Sequence, residues 1–408
     1  MVADKISVRC CVAGGGPAGM MLGLLLARAG VDVLVLEKHA DFLRDFRGDT
    51  IHPSTFKVVH ELGALEELLS LPHQEMPALS VRIGDATLPV ADFAHLPTRC
   101  RFVAFMPQWD FLSFLAGHAA RHPTFSLRMR AEAIGLIEEA GRVAGVVAAT
   151  PAGPLEVRAD LVVGADGRHS VVRGKAGLQV EELGAPMDVL WFRLSRQAGD
   201  PDQTMGRFEA GRILVLINRG NYWQCGYVIP KGSLDRIRGA GLEAFREEVA
   251  RLAPFAADGR VSELRGWDEI RPLTVRVDRL PRWHRPGLLC IGDAAHAMSP
   301  IGGVGINLAI QDAVAAANLL AAPLRDGRLT AGHLRRVQRR RELPARITQR
   351  LQLLMQERVI AAVLGDGGGT LTPPLALRLL ARFPPLRRLP ARLIGLGVRP
   401  EHLRPSRA

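Results

Sequence analysis

The sequence predicts an α/β protein, a Rossmann-like nucleotide-binding domain interleaved with an antiparallel sheet and followed by helices. Three observations carry this. An apolar, β-branched run at residues 6–13 leads through glycines into a helical segment, 17–29, and a second apolar run, 31–36. Two later apolar runs, 160–163 and 287–291, each end at a turn of glycine and aspartate, "GADGRHS" and "GDAAH". Residues 79–90 and 189–229 alternate in polarity and carry aromatic side chains, as antiparallel strands do.

The first unit is a β-α-β. "VAGGGPAGMMLGLLLARAG" fits GxGxxG at Gly14, Gly16 and Gly19, and Glu37 closes the next strand 23 residues after Gly14. Gly14 suits a tight turn, Gly16 lets backbone approach a pyrophosphate, and Gly19 lets helix and strand pack closely. Pro17 and Ala18 open a helix whose N-terminal N–H groups face the phosphates, Gly30 stops it, and Glu37, followed by Lys38, can accept hydrogen bonds from a ribose diol. The next loop, "RDFRGDTIHPST", offers Arg44 and Arg47 to phosphate oxygens, although Arg44 reads equally as a solvated arginine. Gln108 follows Pro107 at the head of a helix, as a cofactor contact or a plain helix-start residue.

The two alternating segments are far apart in sequence and are expected to share one sheet. From Thr330 onward the pattern is helical, punctuated by Pro344, Pro373, Pro374, Pro384, Pro385 and Pro390, with "LGDGGGT" at 364–370 as a flexible break.

Composition narrows the function. The chain has 408 residues, 48% of them hydrophobic, enough for two or three packed units. Of its net charge of +12, a surplus of 13 lies in residues 321–408, with 18 arginines, no lysine and 5 acids. That region is interleaved with Leu, Ile and prolines rather than stacking aromatics, which speaks against nucleic acid. Five cysteines without metal spacing read as reduced, buried thiols. The first residues read as neither signal nor transit peptide, so the expected location is cytoplasmic. Residues 301–322 are the longest apolar stretch, and Asn307, Gln311 and Asp312 within it indicate a core helix.

Three motifs in order, the GxGxxG with Glu37, "GADGRHSVVR" at 164–173 and "GDAAHAMSPIGGVGINLAIQDA" at 292–313, resemble the single-component FAD-dependent aromatic hydroxylases, the para-hydroxybenzoate hydroxylase-like class A flavoprotein monooxygenases. The resemblance covers residues 6–320. It implies a GR2-type FAD-binding domain in three pieces, 1–71, 98–178 and 271–322. It further implies a substrate-binding β-sheet domain from 72–97 and 179–270, and a C-terminal helical, Arg-rich segment, 323–408.

Residue by residue, Asp166 resembles the aspartate on the FAD side associated with nicotinamide-cofactor binding, its turn held by Gly164, Gly167 and Arg173. Asp293 is similar to the acid that hydrogen-bonds the ribityl chain. Arg47 resembles the arginine at the FAD phosphates and Gln108 the glutamine on the following helix. Pro300, Gly303, Gly305, Ile306 and Asn307 match the loop beside the flavin ring. Independently, a helix beginning near Gly305 or Ile306 turns its positive end toward a reduced flavin's negative charge. His52 is expected to line the flavin cavity beside Pro300, and His296 to be a structural histidine bonded to backbone.

The implied reaction hydroxylates an aromatic or heteroaromatic small molecule with FAD, NADH or NADPH as transient co-substrate, and O2, through a flavin C4a-hydroperoxide. The alternative is an electron-passing or tailoring flavoprotein without hydroxylase activity. Tyr222 and Gln224, in "GNYWQCGYVIP", are the substrate candidates; Asn221, Tyr227 and Arg219 lie near them, and a carboxylate clamp is not evident. A neutral or larger aromatic is expected. The Arg-rich C-terminal pieces can lie on an anionic membrane surface, but their prolines favour packing of the Leu and Ile faces over the FAD domain or a second subunit of a homodimer.

Overall fold

The computed structural model describes residues 4–43, 50–84, 86–201, 204–256, 258–365 and 373–404. Its first sheet runs in the order His284–Arg285, Leu288–Cys290, Gly153–Gly164, Asp4–Ala13, Val33–Glu37, Phe125–Met129, and the inner pairs are parallel. A meander, Glu132–Glu139 and Arg142–Thr150, adds antiparallel strands to Gly153–Gly164. Helices cover this sheet, so the C-terminal half of Asp4–Ala13 is buried on both sides, as its unbroken apolar run requires.

The helix Pro17–Arg28 follows with every residue from Ala18 to Ala27 buried, packed between the sheet and the helix Val304–Arg325. Gly30, at φ 76°, returns its N–H to the Ala27 carbonyl and ends the helix. Ile301–Arg325 is, among the described residues, the one helical segment apolar and long enough to cross a membrane, and 67% of its most apolar stretch is buried within the protein.

The second sheet has seven strands: Arg271–Leu273, Met187–Ser195, Tyr222–Pro230, Arg212–Asn218, Met205–Glu209, Ala78–Ile83 and Ala86–Asp92. The two distant segments thus meet in one sheet, joined by the single parallel pair, Gly206 opposite Val81. One face packs Leu190, Phe192, Trp223, Cys225 and Tyr227 beneath the helix Leu242–Leu252. The other turns Val189, Trp191, Ile213 and Val228 toward Ile301 and Ile360. A three-stranded sheet, Thr50–Ile51, Val103–Phe105 and Gln74–Met76, lies apart from it.

The C-terminal helices differ from expectation in two ways. Pro344 sits inside the helix Ala331–Met355 instead of ending it. A mid-helix proline is disfavoured by roughly 3 kcal/mol, and here packing along the helix overrides it. Second, the Leu and Ile faces are only half covered: Ala391 and Leu396 are buried against Phe93 and Leu96, while Leu375, Leu379, Phe383, Leu386 and Leu389 are exposed. Most of the expected break at 364–370 lies outside the described residues. All five cysteines are buried free thiols.

Candidate functional site

The glycine turn is shaped as its spacing demands. Gly14 has φ 109°, and a Cβ there would stand 2.4 Å from the Ala165 carbonyl oxygen. A Cβ on Gly19 would stand 1.9 Å from the Gly14 carbonyl oxygen, the close helix–strand packing that glycine allows. At Gly16 nothing lies within 4 Å of an added Cβ, so that side of the turn is open. Glu37 is buried at the strand end, accepting from the Gly15 N–H at 2.9 Å and the His39 N–H at 3.1 Å. Lys38 is exposed beside it.

The central motif abuts this turn. Asp166 caps the short helix Val171–Lys175, accepting from the Val172 N–H at 3.1 Å and the Ser170 hydroxyl at 2.5 Å. Burial raises its pKa against these hydrogen bonds. Arg173, buried, donates to the carbonyls of Ala294 at 3.2 Å and Arg168 at 2.8 Å, which ties the central motif to the later turn.

In that later turn Asp293 is half-buried and makes no hydrogen bond or ion pair among the described residues. The turn is anchored by Asp312, which accepts from the Gly292 N–H at 3.1 Å, from His296 Nε2 at 2.6 Å and from Arg341 Nε at 3.0 Å. His296 therefore bonds a carboxylate, not the backbone as expected. Burial acts to raise the Asp312 pKa, but the charges and hydrogen bonds of His296 and Arg341 hold it below the ordinary carboxylate value. Arg341 also donates to the Arg399 carbonyl at 3.2 Å and lies 3.5 Å from Glu401.

The helix after the turn begins at Val304, with Gly303 as its left-handed N-cap at φ 63° and Gly302 at φ 76° before it. It starts slightly earlier than expected because Gly303 turns the chain. A Cβ on Gly303 would strike the Thr50 hydroxyl, which donates to the Gly303 carbonyl at 2.9 Å. Gly305 has room for a side chain and Ile306 is half-buried. Asn307 points away from the turn: its Oδ1 accepts from Ser54 at 2.5 Å and Thr55 at 2.9 Å, so its side chain is a brace and its backbone the part left to meet a ligand.

His52 is fully buried beside this turn. Its Nδ1 donates to the Ile394 carbonyl at 2.7 Å, and Nε2 has no hydrogen-bond partner among the described residues. Burial lowers its pKa to about 4, against the weaker pull of the Ile394 and Gly303 backbone, so the ring is neutral near pH 7.

Three glutamines that sequence reasoning passed over hold the Pro300 loop. Gln349 Nε2 donates to the carbonyls of Asp278 and Ala297, Gln352 Nε2 to those of Ser299 and Ile301, and Gln356 Nε2 to the Ser299 hydroxyl at 2.7 Å. Their signal was present: amides at 349, 352 and 356 share one helix face with buried neighbours, where unpaired amides are costly.

Facing the loop is the side of the seven-stranded sheet that turns toward Ile301 and Ile360. Trp191 lies against Gly226, and its indole Nε1 is buried without a partner among the described residues. Gln224 is buried on the same face, its Oε1 accepting from Arg219 Nε at 3.0 Å and Nη2 at 2.9 Å. Tyr222 stands at the strand's start beneath the Arg193 guanidinium, 4.8 Å from its ring centroid. Tyr227 faces the opposite way and packs on Phe245, so it is removed from the site. Gln108 heads its helix, half-buried; Arg47 lies outside the described residues, as does Arg44.

The arrangement suits FAD. An open glycine turn, the buried acid Glu37 at the end of the next strand, Asp293 and the left-handed Gly302–Gly303 backbone before a helix N-terminus are groups of the kind that hold a dinucleotide's phosphates, sugars and ring.

Residues 7–351 match the sequence profile of a family described as "FAD binding domain". The chain is 34% identical over 394 residues to a 6-methylpretetramide 4-monooxygenase from Streptomyces rimosus, covering 96% of this chain and 93% of that one. It is 28% identical over 321 residues to a dialkyldecalin synthase from Streptomyces rugosporus, covering 74% of this chain but 63% of that longer one. The crystal structure of p-nitrophenol 4-monooxygenase from Pseudomonas putida superposes with a TM-score of 0.77 over 97% of this chain and 100% of its own, at 21% identity, which shows a shared fold.

Proposed function

The chain belongs to the family of FAD-dependent aromatic hydroxylases, and from that premise we propose that it hydroxylates a neutral, extended aromatic or heteroaromatic molecule held between the Trp191 face of the seven-stranded sheet and the Pro300 loop. The near end-to-end likeness to a 6-methylpretetramide monooxygenase supports a substrate larger than a benzoate. The observation that carries the reading is the sheet face itself. Trp191, Gly226, Val215 and Ile217 make an apolar plate with one buried indole donor, suited to the face and one polar edge of a ring system.

When bound, FAD supplies hydride acceptance from NADH or NADPH and the activation of O2. The protein's part is positioning. Gly14, Gly16, Pro17, Ala18 and Gly19 are assigned to the pyrophosphate, Glu37 to the ribose, Asp293 to the ribityl chain, and the backbone of Gly303, Gly305, Ile306 and Asn307 to the ring. The N-terminus of Val304–Arg325 stabilises negative charge placed before it, by about 0.3–1 kcal/mol and more when buried. The glutamines fix the Pro300 loop so that its backbone need not reorganise. The covered sheet keeps water from the reacting face.

Incubating the flavin-loaded protein with NADH or NADPH in air, over a panel of aromatics, tests this. Stimulated cofactor consumption with labelled oxygen in the product supports hydroxylation; failure of either nicotinamide to reduce the flavin overturns it. Stimulation by benzoates alone contradicts the neutral substrate. The synthase relative motivates a second reading, in which bound FAD serves a conversion without oxygen insertion; product formed without label would favour it. For the assignment of Asp293, Asp293→Ala is expected to weaken FAD retention by roughly 10- to 100-fold, since a charged hydrogen bond contributes about 1.5–3 kcal/mol; unchanged flavin content refutes that role.

A further inference from the structure

The two helices Leu375–Arg382 and Arg388–Gly395 pack along Ala86–Asp92, the outermost strand of the seven-stranded sheet. Ala391 and Leu396 are seated there with Ala91, Phe93 and Leu96. The opposite side is uncovered: Leu375 is 68% exposed, Leu389 65%, Phe383 50%, Leu386 47% and Leu379 42%. Five large apolar side chains within fifteen residues form a patch that a soluble monomer does not ordinarily leave to water.

Along the patch's own stretch of chain the charge has one sign. Residues 367–400 contain six arginines and no lysine, aspartate or glutamate. Arg387 is used internally, donating to the carbonyls of Leu380 and Ala381 at the end of the first helix. Arg378, Arg388 and Arg392 are exposed and make no ion pair among the described residues.

From this we infer that the Leu375–Leu389 face docks on the surface of an anionic lipid bilayer, burying its leucines and Phe383 at the headgroup–acyl boundary while the arginines meet lipid phosphates. Two short helices with apolar residues ringed by arginine have the composition of interfacial helices. A second copy is the weaker occupant, because a symmetric contact through this face opposes two acid-free arginine sets. A protein partner is weaker too: four of the five exposed apolar side chains are leucine, which is under-represented among the residues that anchor such interfaces. Docking through this face turns Ala86–Asp92, and with it the edge of the substrate sheet, toward the bilayer, where apolar aromatic compounds concentrate.

Co-sedimentation of the full-length, flavin-loaded protein with phosphatidylcholine vesicles, with and without phosphatidylglycerol, tests the inference. Binding is expected only with the anionic lipid. The charge-conserving variant L375S/L379S/L386S/L389S is expected to lose at least about ten-fold in partitioning, given ~0.8 kcal/mol per buried methylene. Arg378→Gln, Arg388→Gln and Arg392→Gln should each lose about five-fold. All these side chains are exposed, so flavin content and melting temperature should hold; Phe383→Ser serves as a single-site check. The inference is overturned if the anionic vesicles are not bound, if the leucine variant binds like the parent so that basicity alone acts, or if the variant converts a dimer to a monomer with vesicle binding intact.

Discussion

Trp191 and Gly226 face each other across adjacent strands so closely that a Cβ on Gly226 would stand 2.9 Å from the indole ring. The glycine lets the indole lie flat, and the flat indole leaves its N–H buried without a partner on the site side of the sheet. Trp191→Phe should therefore lower kcat/KM about three- to ten-fold on a substrate that accepts this hydrogen bond, with flavin content unchanged, because a net hydrogen bond is worth about 0.5–1.5 kcal/mol. Gly226→Ala should displace the ring and raise KM. Steady-state kinetics of the stimulated NAD(P)H oxidation reads both; identical constants in both variants would remove Trp191 from the site.

Gly16 and Gly19 separate ligand binding from folding. Gly19→Ala meets backbone at 1.9 Å and should yield little folded protein, whereas Gly16→Val projects into open space. The Gly16 variant is expected to keep the apoprotein's melting temperature yet lose FAD at least about ten-fold, a group-sized obstruction costing more than 1.4 kcal/mol. Visible absorbance of the purified variant checks this, and retained flavin would count against the pyrophosphate assignment.

Asp312 is a structural keystone beside the cofactor turn. Asp312→Ala removes the carboxylate bonded to Nε of Arg341, 1% exposed, leaving it only the longer 3.5 Å contact with Glu401, and frees the Gly292 N–H. Loss of one partner from such a buried pair costs about 3–5 kcal/mol, so thermal unfolding should shift down by many degrees, with FAD retention falling alongside. A wild-type melting curve would refute the anchoring role.

His52 sets a pH dependence. Its folded pKa, about 4, lies below the ordinary 6.5, so the unfolded chain takes up a proton first as pH falls. The native state therefore loses stability from about pH 6.5 downward, and the loss levels off near the folded pKa. By about pH 5 this amounts to roughly 2 kcal/mol. His52→Asn can keep a donor toward Ile394 and has no titration, so its stability should fall less over the same window in denaturant melts. Parallel profiles would show that other groups govern the acid limb.

Much of the fold was legible because its signals are local. The Gly14–Glu37 unit is written in consecutive residues, and the strand turns at Gly164 and Gly292 follow fully apolar runs. Less legible was whatever depends on distant partners. The sequence pattern suggested a structural role for His296 but could not supply Asp312 as its partner, because helix winding brings them together. Tyr227 was indistinguishable from Tyr222 until strand alternation put them on different faces. The glutamine braces and the Trp191 donor were hidden because their meaning lies in what surrounds them, not in their spacing.

The wall assigned to the flavin ring is stitched from stretches very far apart. Thr50 bonds Gly303, Ser54 and Thr55 bond Asn307, His52 bonds Ile394, and the Glu401 N–H reaches Gln311. Separations of 252 to 342 residues in the first four make these contacts the slowest kind to close. During synthesis, the glycine turn assigned to the pyrophosphate emerges long before the wall assigned to the ring is complete, which waits until residues near 400 have emerged. The cofactor is thus expected to be captured by one end first and locked at the other only when the chain is nearly finished.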